Sequence, residues 1–144
     1  MTNTFLLAVD GSAGSDRALN FAMERAKLGN ADIVVAYVIE WSPYTFNTPE
    51  ENAERHKRRE EEIAKAEQGV VVPVSEKISK AGISCSSVVS HGHPAETLAR
   101  LAEKHKAAQI FIGRRGERGL KSMLFGSVVA NLVQTSPVPV TVVP

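Results

Sequence analysis

Residues 5–12 read Phe5-Leu6-Leu7-Ala8-Val9-Asp10-Gly11-Ser12, a continuous apolar run closed by a turn sequence. A short apolar run without polar alternation is typical of a strand that is covered on both faces. A helical pattern follows at once, with Ser12 or Ser15 as its cap and Gly29-Asn30 as its end. The chain therefore begins with a strand and a helix, the first unit of an α/β fold.

The same alternation continues along the chain. Further strands are predicted at 33–39, 83–90, 108–112 and 138–143, and helical patterns at 50–81, 94–102 and 126–135 separate them. This order predicts a parallel sheet within one domain that spans residues 1–144. Strand 83–90 is the most polar, which suits an edge. Because Pro73 removes a helical hydrogen bond to Gly69, we expect a kink or a break of the long helix between these residues.

Composition narrows the class of protein. The chain has 17 Lys and Arg against 16 Asp and Glu, a net charge of +1, so no global field recruits nucleic acid or anionic membrane. The single cysteine, Cys85, excludes an internal disulfide and suits a reducing compartment. The N-terminus lacks a basic segment, and its apolar run is too short for a signal peptide or membrane insertion. We therefore expect a cytoplasmic protein.

Three glycines and a hydroxyl follow the fourth predicted strand at fixed offsets. Gly113, Gly116, Gly126 and Ser127 form the pattern G-x2-G-x9-G-S. Glycine lets the backbone approach a ligand, and successive N–H groups, with those of a helix that starts near Gly126, make an anion-binding concavity. The pattern is neither a Walker A loop, since Leu120 separates Gly119 from Lys121, nor a G-x-G-x-x-G fingerprint. It predicts a polyphosphate cradle of another class.

These segments together resemble the universal stress protein family over nearly the whole chain. The features that match are Val9-Asp10-Gly11-Ser12, Gly92-His93-Pro94, the G-x2-G-x9-G-S pattern and the ending Pro137-Val138-Pro139-Val140-Thr141-Val142-Val143. The resemblance implies a five-stranded Rossmann-like sheet in the order 3-2-1-4-5 with helices on both faces. The glycine pattern is the one that marks the ATP-binding branch of the family.

The resemblance also implies a set of nucleotide contacts. Asp10, with backbone near Ala8 and Val38, is expected to contact the ribose or the adenine. The phosphates are expected to lie against Gly113, Arg115, Gly116, Gly126, Ser127 and Val128, with Mg2+ held mainly by the phosphates. The chain departs from the common pattern at Arg114, which is often Ser, and at Val129, which is often Ser or Thr. No catalytic residue and no protein metal ligand is assigned.

The function expected from these features is that of an ATP-binding stress or regulatory protein. The bound nucleotide would set its conformation or its choice of an unidentified protein partner, and the apolar last strand would form a homodimer. One alternative is an enzyme, a slow ATPase or phosphotransferase, although the glycine loop offers only Glu117 as an acidic group. The other alternative is a dimerisation module without a ligand.

Other chemically suggestive residues have simpler interpretations. His91 and His93 form H-x-H, but a zinc site needs three or four ligands. Cys85 is either a redox thiol or a small buried hydrophobe. The charged run 55–62 suits a solvated helix face, and Arg114 and Arg115 are phosphate contacts or solvated loop charges. The aromatic loop with Trp41, Tyr44 and Phe46 either covers an adenine or packs locally.

Overall fold

The computed structural model of the chain describes residues 3–40, 49–114 and 122–144, and of residues 122–125 only the backbone. The strands are β1 (Thr4–Ala8), β2 (Asp32–Glu40), β3 (Cys85–Gly92), β4 (Gln109–Gly113) and β5 (Val140–Val143). The helices are α1 (Ala13–Gly29), α2 (Pro49–Ala66), α3 (Val72–Lys80), α4 (Pro94–Lys104) and α5 (Ser122–Thr135). A π-helical turn, Glu67–Val71, joins α2 to α3.

All five strands form one parallel sheet in the order β3-β2-β1-β4-β5, which confirms the predicted order. The central strand β1 pairs with β2 and β4, so that Leu6 lies between Val34 and Ile110. The chain builds outward from β1 to β3 on one side and from β4 to β5 on the other. The strand order therefore reverses between β1 and β4, where open α/β sheets bind ligands.

Alternate residues of the strands enter two separate cores, one on each face of the sheet. On one face, strand residues such as Leu7, Ile33 and Phe111 pack with α1, the π-helical turn and α3. On the other face, residues such as Leu6 and Ile110 pack with α4 and α5. Helices thus cover both faces, as expected, and this explains why the central strands are apolar without alternation.

The π-helical turn lies where the sequence predicts a break. Pro73 has no N–H to donate to the Gly69 carbonyl, and the N–H of Val72 instead donates to the carbonyl of Glu67, five residues back. The longer turn also brings Ala66 and Val71, five residues apart, to buried positions, with 7% and 2% exposure. The proline therefore changes the register of the helical segment without ending it.

Three elements begin two or more residues away from their predicted starts. Strand β3 begins at Cys85 rather than Ile83, because the N–H of Ile83 donates to the Ile78 carbonyl and closes the end of α3. Strand β5 begins at Val140 rather than Val138, because Val138 is engaged in a local turn with the Ser136 hydroxyl. Helix α5 begins at Ser122 rather than near Gly126, which affects the expected phosphate cradle.

Candidate functional site

A cleft of about 380 Å³ opens at the carboxyl ends of β1, β2 and β4. This is the side of the sheet, and the point of strand reversal, where the sequence places a ligand. The residues that line the cleft are Ala8, Val9, Asp10, Ser15, Ala36, Tyr37, Val38, Glu40, Pro94, Leu98, Ile112, Gly113, Ser127 and Val128.

The apolar part of the cleft exists because two small residues stand side by side in the sheet. Ala8 pairs with Ala36, and two residues earlier on the same face Leu6 pairs with Val34. The larger pair fills the core beneath α4 and α5, whereas the alanine pair leaves space above it. Pro94 and Leu98 of α4 form the facing wall. A hollow with two apolar walls suits a flat ring.

Asp10 lines the cleft from the turn between β1 and α1. Its carboxylate accepts hydrogen bonds from the Ser12 N–H at 2.9 Å and from the Ser12 hydroxyl at 2.5 Å. The Ser12 hydroxyl oxygen in turn accepts from the Ser15 N–H at 3.1 Å and caps α1, as predicted. Asp10 is therefore a turn-stabilising residue that also presents carboxylate surface to the cleft.

Gly113 ends β4, which lies beside β1 at the point where the strand order reverses. A methyl group added to Gly113 would lie 2.5 Å from the carbonyl oxygen of Gly14 and 2.7 Å from its carbonyl carbon. The sequence predicts that Gly113 is a glycine because the phosphates of a ligand need the space. The structure gives a different reason, because the start of α1 packs on the backbone of β4 and no side chain fits between them.

Gly126, Ser127 and Val128 lie inside α5, and this corrects the expected helix start. With α5 beginning at Ser122, the amide of Gly126 lies beyond the first four N–H groups, which are the unpaired ones. Gly126 therefore does not supply N–H groups as a first residue would. A methyl group on Gly126 would meet no atom within 4 Å, and the next two residues, Ser127 and Val128, line the cleft.

The cleft brings together six of the residues named from the sequence: Ala8, Asp10, Val38, Gly113, Ser127 and Val128. Arg115 and Gly116 lie outside the described residues, as does the aromatic loop. Arg114 is exposed, and its N–H donates to the Val143 carbonyl at 2.7 Å.

Among the lining residues that were not predicted from the sequence are Tyr37, Glu40 and Leu98. The signal that could have found Glu40 is its position, since it ends β2 and shares a face with Ala36 and Val38. Leu98 belongs to the core between α4 and the sheet and also borders the cleft.

His91 and Cys85 take part in contacts that hold elements of the fold together. His91 Nε2 lies 3.2 Å from Glu62 Oε2 and so links β3 to α2, and His93 is the exposed residue that precedes α4. Within 3–40, 49–114 and 122–144, no three His, Cys, Asp or Glu side chains cluster as metal ligands would. Burial raises the pKa of the Cys85 thiol. Among the helices described, none has the length and apolarity to span a bilayer.

Solved structures share this architecture. UspA from Lactobacillus plantarum superimposes with a TM-score of 0.84 at 22% identity, over 99% of this chain and 97% of that one. A universal stress protein in complex with cAMP gives 0.64 at 24% identity, over 99% and 96% of the two chains. The Archaeoglobus fulgidus universal stress protein in complex with dAMP gives 0.67 at 21% identity, over 100% and 98%. At these identities the likeness establishes the fold.

The sequence comparisons extend over the same length. Universal stress protein YxiE of Bacillus subtilis is 29% identical over 150 residues, which cover 99% of this chain and 99% of that protein. The sequence model of the universal stress protein family matches residues 1–144. The chain belongs to the universal stress protein family.

Proposed function

We propose that the cleft binds ATP, with Mg2+ held mainly by the phosphates, and that the bound nucleotide acts as a switch in a cytoplasmic regulatory protein. The observation that carries this proposal is the division of the cleft into two parts. One part is the hollow above Ala8 and Ala36, and the other is the open space beside Gly126 and Ser127. The complexes of two proteins of the same fold with cAMP and dAMP favour an adenine nucleotide.

The charges of the cleft orient the nucleotide. Asp10 and Glu40 both contribute to its lining, and a polyphosphate would be repelled from them. The adenine therefore lies in the hollow next to Ala36 and Val38. A ribose hydroxyl donates to an oxygen of the Asp10 carboxylate, which has acceptor capacity beyond its bonds to Ser12.

The phosphates extend in the opposite direction, past Gly113 toward α5. There the Ser127 hydroxyl donates to a phosphate oxygen, and the small residues Gly126 and Val128 leave room for the chain of phosphates. Arg115 and Gly116 complete this end of the proposed site. Mg2+ keeps much of its water shell and binds the phosphate oxygens, in the way this ion usually binds nucleotides.

Binding is favoured over rapid catalysis by the placement of the two carboxylates. Phosphoryl transfer needs a group that orients or deprotonates the nucleophile near the terminal phosphate. Asp10 is engaged by Ser12, and Glu40 ends β2, which is two strands, roughly 10 Å, from β4. Among the described lining residues these are the acidic side chains, so slow hydrolysis is the most that this arrangement favours.

We also propose a homodimer through β5. This strand lies at the edge of the sheet, and Val133 on the neighbouring helix α5 is 51% exposed. An edge strand with adjoining apolar surface favours pairing with a second copy. A dimer would give the nucleotide-bound state a defined surface for an unidentified partner.

The decisive experiment is to denature the purified protein and to identify any released nucleotide by chromatography. Calorimetry with ATP and Mg2+ would then be carried out on the nucleotide-free protein. We expect release of an adenine nucleotide or binding of ATP at micromolar concentration. Absence of binding at millimolar ATP would overturn the site. Equal affinities for adenosine and ATP would overturn the phosphate end alone.

A further inference from the structure

The π-helical turn touches the turn that carries Asp10. A methyl group added to Gly11 would lie 3.2 Å from Cγ2 of Val70, so the Val70 side chain packs directly on the Gly11 backbone. Gly11 has a φ of 82°, a conformation that other residues rarely adopt. It stands between Asp10, which lines the cleft, and Ser12, which caps α1. Val70 therefore supports the cleft wall from behind.

The register of the π-helical turn differs from that of an α-helix by one residue. In its present register the Val72 N–H donates to Glu67, whereas an α-helical register would pair each N–H with the carbonyl four residues back. One residue of α-helix corresponds to a rotation of about 100°. Such a change would remove either Val70 from Gly11 or the buried Ala66 from the core. A change from the observed register to the α-helical one would therefore be a discrete step rather than a gradual one.

The position of α2 depends on this turn, because α2 ends at Ala66 and continues directly into it. Among its residues only Ala66 is buried. One turn earlier, Glu62 contacts His91 of β3 at 3.2 Å. The N-terminal part of the helix is exposed and densely charged. A change of register at 67–71 would therefore rotate the whole charged surface of α2 against the sheet.

We propose that the contact between Val70 and Gly11 couples occupancy of the cleft to the docking of α2. This inference rests on the proposed function, since it needs a ligand that bonds to Asp10. Such a ligand binds better when Val70 holds the Asp10 turn in place, and it therefore stabilises the π-helical register. By linkage, anything that holds α2 in its docked position strengthens nucleotide binding by the same factor. The α2 surface becomes the part of the protein that reports the bound state.

The test combines hydrogen exchange with calorimetry on the full chain. In the wild-type protein we expect ATP with Mg2+ to slow exchange of the amides of residues 67–72 by about fivefold or more. In Val70→Ala we expect ATP affinity to fall by about fivefold and the protection of these amides by ATP to disappear. The matched control is Val74→Ala, because Val74 is also half-buried against the same core, one turn further along.

Each outcome decides between the two proposals. Absence of ATP binding by the wild-type protein would overturn the proposed function and this coupling together. ATP binding without altered exchange at 67–72 would overturn the coupling and leave the site intact. Equal loss of affinity in Val70→Ala and Val74→Ala would also overturn it, since the effect would then follow general destabilisation. Thermal melting of both variants measures whether their losses of stability are comparable.

Discussion

Gly113 at the end of β4 lies against the backbone of Gly14 in the first turn of α1, where a methyl group would come within 2.5 Å of the Gly14 carbonyl oxygen. A side-chain Cβ atom essentially never lies within 3.0 Å of a non-bonded atom, so the close approach of α1 to the sheet requires a glycine there. Gly126, from the same sequence pattern, has no atom within 4 Å of such a methyl group. Packing therefore requires the glycine at position 113, whereas it does not require the one at position 126.

We predict opposite effects of alanine at these two positions. Gly113→Ala forces α1 away from β4 and should lower the free energy of unfolding by about 1–3 kcal/mol. Gly126→Ala adds a methyl group in free space within α5 and should raise it by about 0.5–1 kcal/mol, since glycine weakens a helix. Urea denaturation of both variants measures this difference. Equal stability of the two would contradict the packing assigned to Gly113.

Gly126→Val should weaken ATP binding by about tenfold or more, equivalent to about 1.4 kcal/mol, because the side chain enters the space assigned to the phosphates. The matched control is Gly29→Val. Gly29 also has open space around an added methyl group, but it lies at the end of α1 near the amino ends of the strands, away from the cleft at their carboxyl ends. Calorimetry compares the two variants with the wild type. Unchanged affinity in folded Gly126→Val would remove Gly126 from the site.

Turnover of ATP should be slow, well below the roughly 10 per second that is the median for dedicated enzymes. The reason is that Asp10 is engaged by the N–H and the hydroxyl of Ser12 and so is not held as a base. Steady-state phosphate release measures the rate. A rate near the median that is lost in Asp10→Ala or in Glu117→Ala would place the protein among the enzymes.

The Cys85 thiol should be unreactive near neutral pH, because burial raises its pKa and keeps it protonated. The folded state then binds the proton more tightly than the unfolded state does. This contribution to stability is complete below the ordinary thiol pKa of about 8.5 and is lost as the pH rises through the higher folded value. We expect slow alkylation by iodoacetamide at pH 7. Stability should also decline less between pH 8 and 10 in Cys85→Ala than in the wild type. An identical dependence of stability on pH in the two proteins would contradict the raised pKa of the Cys85 thiol.

Features carried by neighbouring residues were predictable from the sequence. The apolar run of β1, the cap at Ser12 and the interruption of the α-helical register before Pro73 each depend on local geometry. The strand order and the family came from the resemblance, and the structure and the comparisons confirmed them. The predicted start of α5 was wrong. The sequence interpretation took Gly126 of the motif as the boundary, but residues 122–125 include good helix formers and already belong to the helix.

Contacts between distant segments could not be predicted in the same way. The approach of Gly14 to Gly113 and the packing of Val70 on Gly11 join residues that are far apart in the chain. A glycine in the sequence shows that something needs the space, but it does not show whether a ligand or a neighbouring backbone occupies it. The site residues Asp10 and Gly113 were identified for their nucleotide chemistry, yet both also support the fold.

The edge strand β5 directs some of its backbone hydrogen-bonding groups away from β4. The carbonyls of Pro139 and Val143 accept from Ile110 and Arg114 on the β4 side. Because alternate residues of a strand bond to the same neighbour, Val140 and Val142 direct their N–H and C=O groups to the open edge. Antiparallel pairing of two copies would satisfy these groups across a two-fold axis.

Val142→Pro should therefore convert the dimer into a folded monomer, since it removes an outward N–H and leaves the bonds to β4 in place. The matched control is Val142→Ala, which shortens the same half-buried side chain, keeps the N–H and should remain dimeric. Sedimentation at micromolar concentration measures the mass, and circular dichroism establishes the fold. A folded Val142→Pro that still dimerises would place the interface elsewhere, and a monomeric wild-type chain would defeat the proposal. Because the outward N–H belongs to the backbone, the comparison separates strand pairing from side-chain packing at the same residue.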